Sequence, residues 1–283
     1  MSTVYLNGDY LAVENAKVSV LDRGFLFGDG VYEVIPVYNG HLFRLDQHLH
    51  RLQTSLDNIR LASPYSSTQW RDILTQLIEK NGGGDQAIYL QLTRGVAPRD
   101  HAFPQGIPPT VFAMANPLKS LAEEIAENGV AAITIEDNRW LQCHIKAISL
   151  LPNVLLRQQA VDSGVSEAIL YKDGFITEGS ASNVFIVDSN GIVVTPPKGT
   201  KLLPGITRDL VLELAEQNDI ANAERTIEMD ELSSVQEIWL TSSTKEILPV
   251  TRINDKAVGS GKPGPVWRQM IEIYRQYKKN FQG

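Results

Sequence analysis

The stretch HIKAISLLPNVLLRQQA, residues 144–160, places one lysine, Lys146, among apolar neighbours. An unpaired ammonium group is costly to bury, so a buried lysine loses its proton or finds a partner. A lysine without its proton is a nucleophile that can bond to an aldehyde. Taken alone, a side chain that extends to solvent along an apolar surface is the more common explanation. Lys146 is therefore a candidate whose meaning depends on the other groups of the chain.

Runs with the alternation of strands and runs with helical spacing follow one another on both sides of this stretch. The segments VYLNGDYLAV and VYEVIPVYNGHLFRL each place β-type residues around an Asn-Gly turn, which predicts two hairpins. A helix is expected after Lys146, beginning near Ser149 and running to about Ser163. Residues 46–61 also have helical spacing, with an apolar stripe at Leu49, Leu52, Leu56 and Ile59.

These elements predict an α/β (α+β) fold with two domains. We expect a smaller N-terminal α/β domain over residues 1–118, an interdomain linker region over 119–130, and a larger C-terminal domain over 131–283 that carries Lys146. The sequence contains no tandem repeat and no low-complexity tract that would suggest another organisation.

The composition is that of an ordinary soluble globular protein, because 43% of the residues are hydrophobic and 21% are charged. The formal net charge is −7 and basic residues form no stripe, so nucleic acid is not an expected partner. No apolar run approaches the ~20 residues that cross a bilayer, so we expect no membrane association. The N-terminal residues lack the pattern of a signal peptide, and the single cysteine suits a reducing compartment. The expected location is the cytoplasm.

Several motifs of other enzyme classes are missing from the sequence. There is no HExxH motif and no cysteine pair, so no metal site is expected. No GxSxG elbow supports a serine hydrolase, and no GxxxxGK[ST] loop supports a nucleoside triphosphate site. The glycine-rich segment GFLFGDG lacks the GxGxxG order of a dinucleotide-binding turn.

Three segments are candidates for binding an anion. LLPGITRDLVLELA places Ile206 and Thr207 at the start of an amphipathic helix, where backbone N–H groups and the helix dipole attract negative charge. The hydroxyl cluster TSST contributes Ser242 and Ser243 at the end of an apolar strand. Arg51, in HLHRL, offers a cation on a helix. Taken singly, an ordinary turn, a strand end and a solvated arginine are the more common explanations.

Two further segments offer charged groups for a ligand. Glu178, in TEGSASNVF, precedes small residues that allow close backbone approach, so its carboxylate could hydrogen-bond a buried ring nitrogen. Arg99 and His101, in RGVAPRDH, are two donors that could bind a carboxylate. A surface glutamate and a polar loop are the alternatives for each segment by itself.

Together, these segments resemble the fold-type IV pyridoxal-phosphate enzymes, or class IV aminotransferases, and among them the D-amino-acid aminotransferases. The lysine and TEGSASNVF segments are shared with branched-chain aminotransferases and aminodeoxychorismate lyase, whereas RGVAPRDH favours the D-amino-acid branch. The resemblance extends over essentially the whole chain and rests on LDRGFLFGDGVYEV, HLHRL, RGVAPRDH, HIKAISLLPNVLLRQQA, TEGSASNVF and LLPGITR.

The resemblance implies pyridoxal 5'-phosphate as the cofactor and no metal. Lys146 matches the lysine that forms the Schiff base with the cofactor and shuttles the substrate proton. Glu178 matches the carboxylate that pairs with the pyridine nitrogen, and Arg51 matches the arginine that binds the phosphate. The remaining phosphate contacts are implied at Ile206, Thr207, Ser242 and Ser243.

The resemblance also implies the reaction and the assembly. Tyr32, Arg99 and His101 match the groups that bind the substrate α-carboxylate. In the family, residues matching Arg99 and His101 reach into the neighbouring subunit's site, so a homodimer is expected. The expected activity exchanges the amino group of a D-amino acid, of the D-alanine type, with a 2-oxo acid such as 2-oxoglutarate in two half-reactions.

Three alternatives stay open at this point. Aminodeoxychorismate lyase would use the same lysine and cofactor to eliminate pyruvate. A branched-chain L-amino-acid aminotransferase would use the same fold on other substrates. A soluble binding or scaffold protein, in which these residues are only structural, would lack a covalently bound cofactor.

Overall fold

The computed structural model describes residues 2–118 and 121–281, which divide into two compact units. The first unit consists of the N-terminal part of the chain, to residue 118, together with Ile145–Leu150. The second unit consists of residues 121–144 and 151–281. Residues 119 and 120, which begin the expected linker, lie outside the described residues.

The first unit is built on a six-stranded antiparallel sheet. Its strands are β1 (Thr3–Leu6), β2 (Asp9–Ala12), β3 (Gly30–Tyr38), β4 (His41–Leu42), β5 (Gln86–Thr93) and β6 (Thr110–Pro117). They lie in the order β2-β1-β6-β5-β3-β4. The Asn7-Gly8 and Asn39-Gly40 turns join β1 to β2 and β3 to β4, and all four residues have positive φ, as such tight hairpins require. Both predicted hairpins are confirmed.

Three helices accompany this sheet. They are α1 (Arg23–Phe27), α2 (Leu45–Asn58) and α3 (Ser67–Lys80). The helix predicted over residues 46–61 is present as α2, and its stripe of leucines is buried in one core with the apolar side of α3 and the sheet. Ser66 and Gln69 form a reciprocal capping box at the start of α3, which satisfies two backbone donors.

The segment around Lys146 pairs with β3 of the first unit. Tyr32 N–H donates to the Lys146 carbonyl at 2.9 Å, and Ile148 N–H donates to the Gly30 carbonyl at 3.1 Å. A Cβ at Gly30 would lie 2.3 Å from the Leu92 carbonyl oxygen of β5 and 3.0 Å from Ile148 Cδ1, so glycine is required where β3 lies between these two segments. The expected C-terminal domain included Lys146, but the structure groups it with the first unit because of these backbone bonds.

The second unit contains a nine-stranded mixed sheet. Its strands are β7 (Val130–Glu136), β8 (Glu167–Lys172), β9 (Phe175–Gly179), β10 (Asn183–Val187), β11 (Val193–Thr195), β12 (Asn222–Glu224), β13 (Glu237–Ser242), β14 (Glu246–Ile253) and β15 (Lys256–Ala257). The order is β12-β11-β10-β13-β14-β7-β8-β9, and β15 pairs with β14. The pairs β11–β12, β14–β7 and β7–β8 are parallel.

Four helices belong to the second unit. They are α4 (Glu123–Asn128), α5 (Leu151–Asp162), α6 (Ile206–Gln217) and α7 (Pro265–Asn280). Helix α5 begins two residues later than expected, because residues 146–148 form backbone hydrogen bonds and a bridge with β3 instead of helical bonds. No helix in the described ranges is long and apolar enough to cross a membrane.

Candidate active site

Lys146 lies in the first unit with its side chain against an aromatic ring. Its Nζ atom is 4.2 Å from the centroid of the Tyr32 ring, and its backbone N–H donates to Ser55 Oγ at 3.2 Å. The residue is half-buried, and no carboxylate of the described residues forms an ion pair with it. An amine on an aromatic face without a carboxylate partner is not tied into a salt bridge, so it is available for chemistry.

Arg51 belongs to a buried cluster of charges on α2 and β3. Its Nε donates to Glu33 Oε1 and its Nη2 donates to Glu33 Oε2, each at 2.8 Å, and His48 Nδ1 lies 2.8 Å from Glu33 Oε2. Burial alone would raise the pKa of the Glu33 carboxyl, but Arg51 and His48 hold that pKa well below its usual range. Burial lowers the pKa of His48. The cluster therefore presents Arg51 as a cation in a fixed orientation.

Arg99 and His101 lie on the exposed loop between β5 and β6. The Arg99 guanidinium carbon is 5.3 Å from the centroid of the Phe27 ring, and the His101 ring is 5.4 Å from the same centroid. Tyr32 lies in the same unit but packs against a different residue: its ring stacks on that of Tyr89, with 5.7 Å between the ring centroids. Within the described chain, no hydrogen bond, ion pair or ring contact joins Tyr32 to Arg99 or His101.

Glu178 ends β9 in the second unit with its carboxylate buried. It accepts a hydrogen bond from Arg139 Nη1 at 2.6 Å, from the Leu203 N–H at 3.0 Å, and from Asn183 Nδ2 at 3.3 Å. Burial raises the pKa of Glu178 to about 6, although Arg139 and the Leu203 N–H oppose that change. The carboxylate is therefore ionised at neutral pH but is poised close to its titration.

Arg139 is shared between Glu178 and a second buried carboxylate, Asp137. Its Nε and Nη2 donate to the two oxygens of Asp137 at 2.9 and 2.8 Å. Thr177 Oγ1 donates to Asp137 Oδ2 at 2.9 Å. Sequence reasoning missed Asp137 and Arg139, as well as Glu33 and His48 in the first unit. The available signals were weak: a polar pair after a strand, and a histidine three residues from an arginine on one helix face.

The start of α6 is tied to Glu178 through Asn183 of the TEGSASN segment. Asn183 Nδ2 donates to the Leu203 carbonyl at 2.8 Å as well as to Glu178. A Cβ on Gly205, the N-cap of α6, would lie 2.0 Å from Asn183 Oδ1. Only glycine therefore allows the backbone at position 205 to lie this close to the Asn183 side chain. No side chain caps α6, and the N–H groups of Ile206 and Thr207 have no acceptor within the helix. The helix start therefore offers donors to an anion.

The hydroxyl cluster is divided among several roles. Ser242 Oγ accepts a hydrogen bond from the Lys245 N–H at 3.2 Å in the turn between β13 and β14, and Ser243 is half-buried in that turn. Thr241 Oγ1 is buried and has no hydrogen-bond partner within the described ranges. Such an orphaned hydroxyl is satisfied by a ligand or by water. The contact of Ser242 and Ser243 with a phosphate stays a prediction.

The predicted site residues thus fall into two sets, one in each unit. The first unit contains Tyr32, Arg51, Arg99, His101 and Lys146. The second unit contains Glu178, Ile206, Thr207, Ser242 and Ser243.

Comparison with known proteins identifies the family. A model of the family described as amino-transferase class IV matches residues 30–253. The chain belongs to this family. It is 42% identical over 267 residues to a D-alanine aminotransferase of Bacillus licheniformis, with 94% of each chain covered. It is 38% identical over 278 residues to a D-alanine aminotransferase of Staphylococcus haemolyticus, with 98% of each covered.

Solved structures of aminotransferases share the fold. The branched-chain amino acid aminotransferase of Escherichia coli has a TM-score of 0.91 and 28% identity, covering 97% of this chain and 94% of that one. A second branched-chain amino acid aminotransferase, from T.th., was solved with pyridoxamine 5'-phosphate. It has a TM-score of 0.91 and 26% identity, covering 98% of this chain and 94% of that one. The expected family, the mixed α/β fold and the class of enzyme are confirmed.

The cofactor of this aminotransferase is pyridoxal 5'-phosphate, and groups within each unit, taken separately, have chemistry that suits parts of it. An aldehyde needs an amine without a salt bridge, as at Lys146. A phosphate needs fixed cations and free N–H groups, as at Arg51 and the start of α6. A protonated ring nitrogen needs a buried carboxylate, as at Glu178. Aminotransferase chemistry makes amino acids and 2-oxo acids the substrates.

Proposed function

We propose that the protein is a D-amino-acid aminotransferase that exchanges the amino group of a D-amino acid, of the D-alanine type, with a 2-oxo acid such as 2-oxoglutarate. The observation that carries this proposal is the similarity to D-alanine aminotransferases over nearly the whole chain, at 42% identity to the Bacillus licheniformis protein against 28% to the branched-chain enzyme of Escherichia coli. The RGVAPRDH segment, with Arg99 and His101, supports the same choice.

Lys146 is the residue that acts on the substrate proton. When bound, pyridoxal 5'-phosphate supplies an electron sink for negative charge at the substrate α-carbon. Lys146 Nζ would hold the cofactor through its aldehyde, and as a free amine it would take the proton from the substrate α-carbon and deliver it to the cofactor. The backbone bonds to β3 and the Tyr32 ring orient Nζ for both roles.

Glu178 stabilises positive charge on the ring nitrogen. As an anion, its carboxylate would accept a hydrogen bond from the protonated ring nitrogen, and that charge would strengthen the electron sink. Arg139 and Leu203 bind the Glu178 oxygens and orient the carboxylate for this bond. Arg139 in turn is oriented by Asp137.

The cofactor phosphate is bound by the fixed cation and the helix start. Arg51 cannot rotate freely because Glu33 binds it through two parallel hydrogen bonds. The first backbone N–H groups of α6, at Ile206 and Thr207, supply other donors, and the hydroxyls of Ser242 and Ser243 at the end of β13 are the remaining candidates.

The substrate carboxylate is bound by Tyr32, Arg99 and His101, with the last two supplied by a second copy of the chain. Support for a homodimer comes from the large apolar side chains that the first unit exposes around the Arg99 loop. Phe25 is 75% exposed and Val20 is 69% exposed, and Val96 and Phe103 are also exposed. Exposed apolar residues at this density are typical of an interface.

We place the enzyme in the cytoplasm. The support is Cys143, the only cysteine of the sequence, which is a buried free thiol. Burial raises the pKa of this thiol to about 11, so it stays protonated and unreactive.

A direct assay tests the function. Purified protein with D-alanine and 2-oxoglutarate is expected to form pyruvate and D-glutamate, and L-leucine offered in parallel is expected to react much more slowly. Pyruvate formed only from aminodeoxychorismate would show a lyase, and preference for L-leucine would show a branched-chain enzyme. A colourless protein that reacts with none of these substrates would indicate a binding protein.

Replacement of the lysine tests the assignment of Lys146. The variant Lys146→Ala is expected to lose the borohydride-reducible link to the cofactor and at least about a thousandfold of kcat, because proton transfer and covalent attachment are both lost. The matched control is Lys201→Ala, at an exposed lysine paired with Asp173, which is expected to keep both. A reducible link that persists on another lysine in Lys146→Ala would contradict the assignment.

A further inference from the structure

Arg23 lies in the LDRGFLFGDG segment, to which the reaction assigns no role. It is only 3% exposed, and its position at the start of α1 is fixed by the Asp22 side chain, which caps the helix by accepting from the Gly24 N–H at 2.8 Å. Asp22 also accepts hydrogen bonds from Thr93 and Thr110 at 3.0 and 2.6 Å. The start of α1 is therefore anchored on the ends of β5 and β6, which flank the Arg99 loop.

The Arg23 guanidinium binds the backbone of that loop. Its Nη1 donates to the Asp100 carbonyl at 2.5 Å and to the Ala102 carbonyl at 3.3 Å. These two carbonyls flank His101 in the chain, and Arg99 precedes them. Hydrogen bonds from a charged donor to two carbonyls of one loop restrict its backbone conformation.

A further donor of Arg23, its Nε, binds Asp29, whereas Nη2 donates to the His101 carbonyl at 3.5 Å. Arg23 Nε donates to Asp29 Oδ2 at 2.8 Å, and Arg94 binds the two oxygens of Asp29 at 2.9 and 3.0 Å. Burial alone would raise the pKa of the Asp29 carboxyl, but the two arginines lower it below its ordinary value. Asp29 therefore stays ionised and fixes the plane of Arg23, since a guanidinium is rigid and fork-shaped.

Phe27 supplies the second contact to the loop. Its ring centroid lies 4.8 Å from the Arg23 guanidinium carbon and 5.3 Å from that of Arg99, and the ring is 5.4 Å from His101. One aromatic ring thus contacts both groups proposed to bind the substrate carboxylate. Cation–π contacts of this kind are worth about 0.5–1 kcal/mol each at exposed sites.

From these contacts we infer that Arg23 and Phe27 are positioning residues for substrate binding, because they set the orientation of Arg99 and His101. Arg23 acts on the loop backbone and Phe27 on the two side chains. The inference rests on the proposed role of Arg99 and His101 in binding the α-carboxylate. It predicts that both substrates, the amino acid and the oxo acid, depend on Arg23, since each carries the same carboxylate.

Steady-state kinetics of the holoenzyme with D-alanine and 2-oxoglutarate test the inference. Arg23→Met is expected to raise KM for both substrates about tenfold, with kcat changed less than about twofold, because lost binding that is equal in the ground and transition states appears in KM. The KM values of Arg23→Lys are expected to lie between those of the wild type and Arg23→Met, since lysine keeps the positive charge but lacks the planar guanidinium that donates to several acceptors at once. The absorption spectrum of the bound cofactor is expected to stay unchanged in both.

Phe27 offers a test that does not depend on Arg23 variants folding. Phe27→Leu removes the ring and is expected to raise KM about fivefold to thirtyfold, in line with the loss of two cation–π or ring contacts. Phe27→Tyr keeps the ring and is expected to restore the original KM. The control for loss of an arginine is Arg225→Met, at a partly exposed residue paired with Glu231, which is expected to leave KM and kcat unchanged.

A double-mutant cycle with Arg99→Met separates this inference from the proposed function. If Arg23 acts through Arg99 and His101, Arg23→Met is expected to raise KM by a clearly smaller factor in the Arg99→Met background than in the wild type, with the remainder acting through His101. Fully multiplicative effects, or unchanged KM in Arg23→Met and Phe27→Leu while Arg99→Met raises it, would overturn the positioning role alone. Unchanged KM in Arg99→Met itself would overturn the proposed role of Arg99, and the inference with it.

Discussion

Two buried glutamates, one in each unit, are both bound by an arginine and yet differ in acidity. Glu33 is completely buried and Glu178 is 5% exposed. The pKa of Glu33 is well below its ordinary value, whereas the pKa of Glu178 is raised to about 6. Because burial raises the pKa of both, the difference comes from their partners.

The partners differ in how much of the arginine each glutamate receives. Arg51 gives Glu33 two parallel hydrogen bonds, and His48 adds a third contact. Arg139 gives Glu178 one hydrogen bond and gives two to Asp137, whose negative charge also raises the pKa of Glu178. Because Arg139 is shared between two carboxylates, the pKa of one of them, Glu178, stays close to neutral pH.

This difference suits the two proposed roles. A phosphate needs a permanent cation, and Glu33 keeps Arg51 charged and immobile. A protonated pyridine nitrogen needs a carboxylate whose negative charge is not already neutralised. The charge of Glu178 is only partly neutralised, because its arginine is shared with Asp137. A buried carboxylate with a raised pKa is a frequent feature of functional sites.

The largest effect is expected from breaking the Glu33 cluster. Glu33→Gln leaves the Arg51 charge without its anion, and removal of one partner from a buried ion pair costs about 3–5 kcal/mol in the free energy of unfolding. Urea denaturation of the apoprotein measures it. The cost is expected to shrink at saturating pyridoxal 5'-phosphate, since the phosphate replaces the lost anion.

The matched control for that measurement is Asp46→Asn, which removes the carboxylate of an exposed ion pair with Arg71. It is expected to leave the free energy of unfolding nearly unchanged, because exposed pairs are screened by solvent. An equal loss in both variants would show that burial does not distinguish the two pairs.

A smaller effect is expected in the pH dependence of the free energy of unfolding, to which Glu178 and Glu33 contribute with opposite signs. The folded pKa of Glu178, about 6, is above its ordinary value of 4.5, so this group stabilises the protein at low pH and loses that contribution as the pH rises from about 4.5 to 6. The folded pKa of Glu33 is lowered, so its contribution is complete above pH ~4.5 and is lost as the pH falls.

Urea denaturation of apoprotein at pH 4.5 and 7 measures this contrast. Relative to Glu178→Gln, the wild type is expected to lose about 2 kcal/mol between the two values, from a change of about 1.5 pKa units. Relative to Glu33→Gln, the wild type is expected to gain little between them and to lose stability only at lower pH. A parallel pH dependence of wild type and Glu178→Gln would show that Glu178 has an ordinary pKa.

The smallest effect is expected from Arg139→Lys. A lysine keeps the positive charge but cannot bind Asp137 and Glu178 together, so the pKa of Glu178 is expected to rise further. Less of the enzyme then carries the Glu178 anion, and kcat/KM at pH 7 is expected to fall about tenfold, or ~1.4 kcal/mol. At pH 8.5 the deficit is expected to shrink, since the carboxyl is ionised again.

The control for Arg139→Lys is Arg225→Lys, at the arginine that binds both oxygens of Glu231 in the second unit. Its kcat/KM is expected to equal that of the wild type at both pH values. A deficit in Arg139→Lys that is the same at pH 7 and 8.5 would argue that Arg139 acts on packing and not on the charge of Glu178.

Local patterns predicted much of the fold. The two Asn-Gly hairpins were predictable because these dipeptides adopt the positive φ angles of tight turns. Helix α2 was predictable from its leucine spacing. The grouping of Lys146 with the first unit was not, because it depends on hydrogen bonds between residues 146 and 148 and a strand more than a hundred positions earlier.

The sequence by itself determined the family and the turns and periods of most elements, and it predicted the lysine, glutamate and arginine that we propose for the site. The tertiary structure decided which charges are compensated. Glu33 meets Arg51 at a separation of 18 residues, and Arg139 meets Glu178 at 39, so neither pair follows from local spacing. The physical reason is that acidity depends on burial and on the charges that face each carboxylate, and both arise only when distant segments pack together.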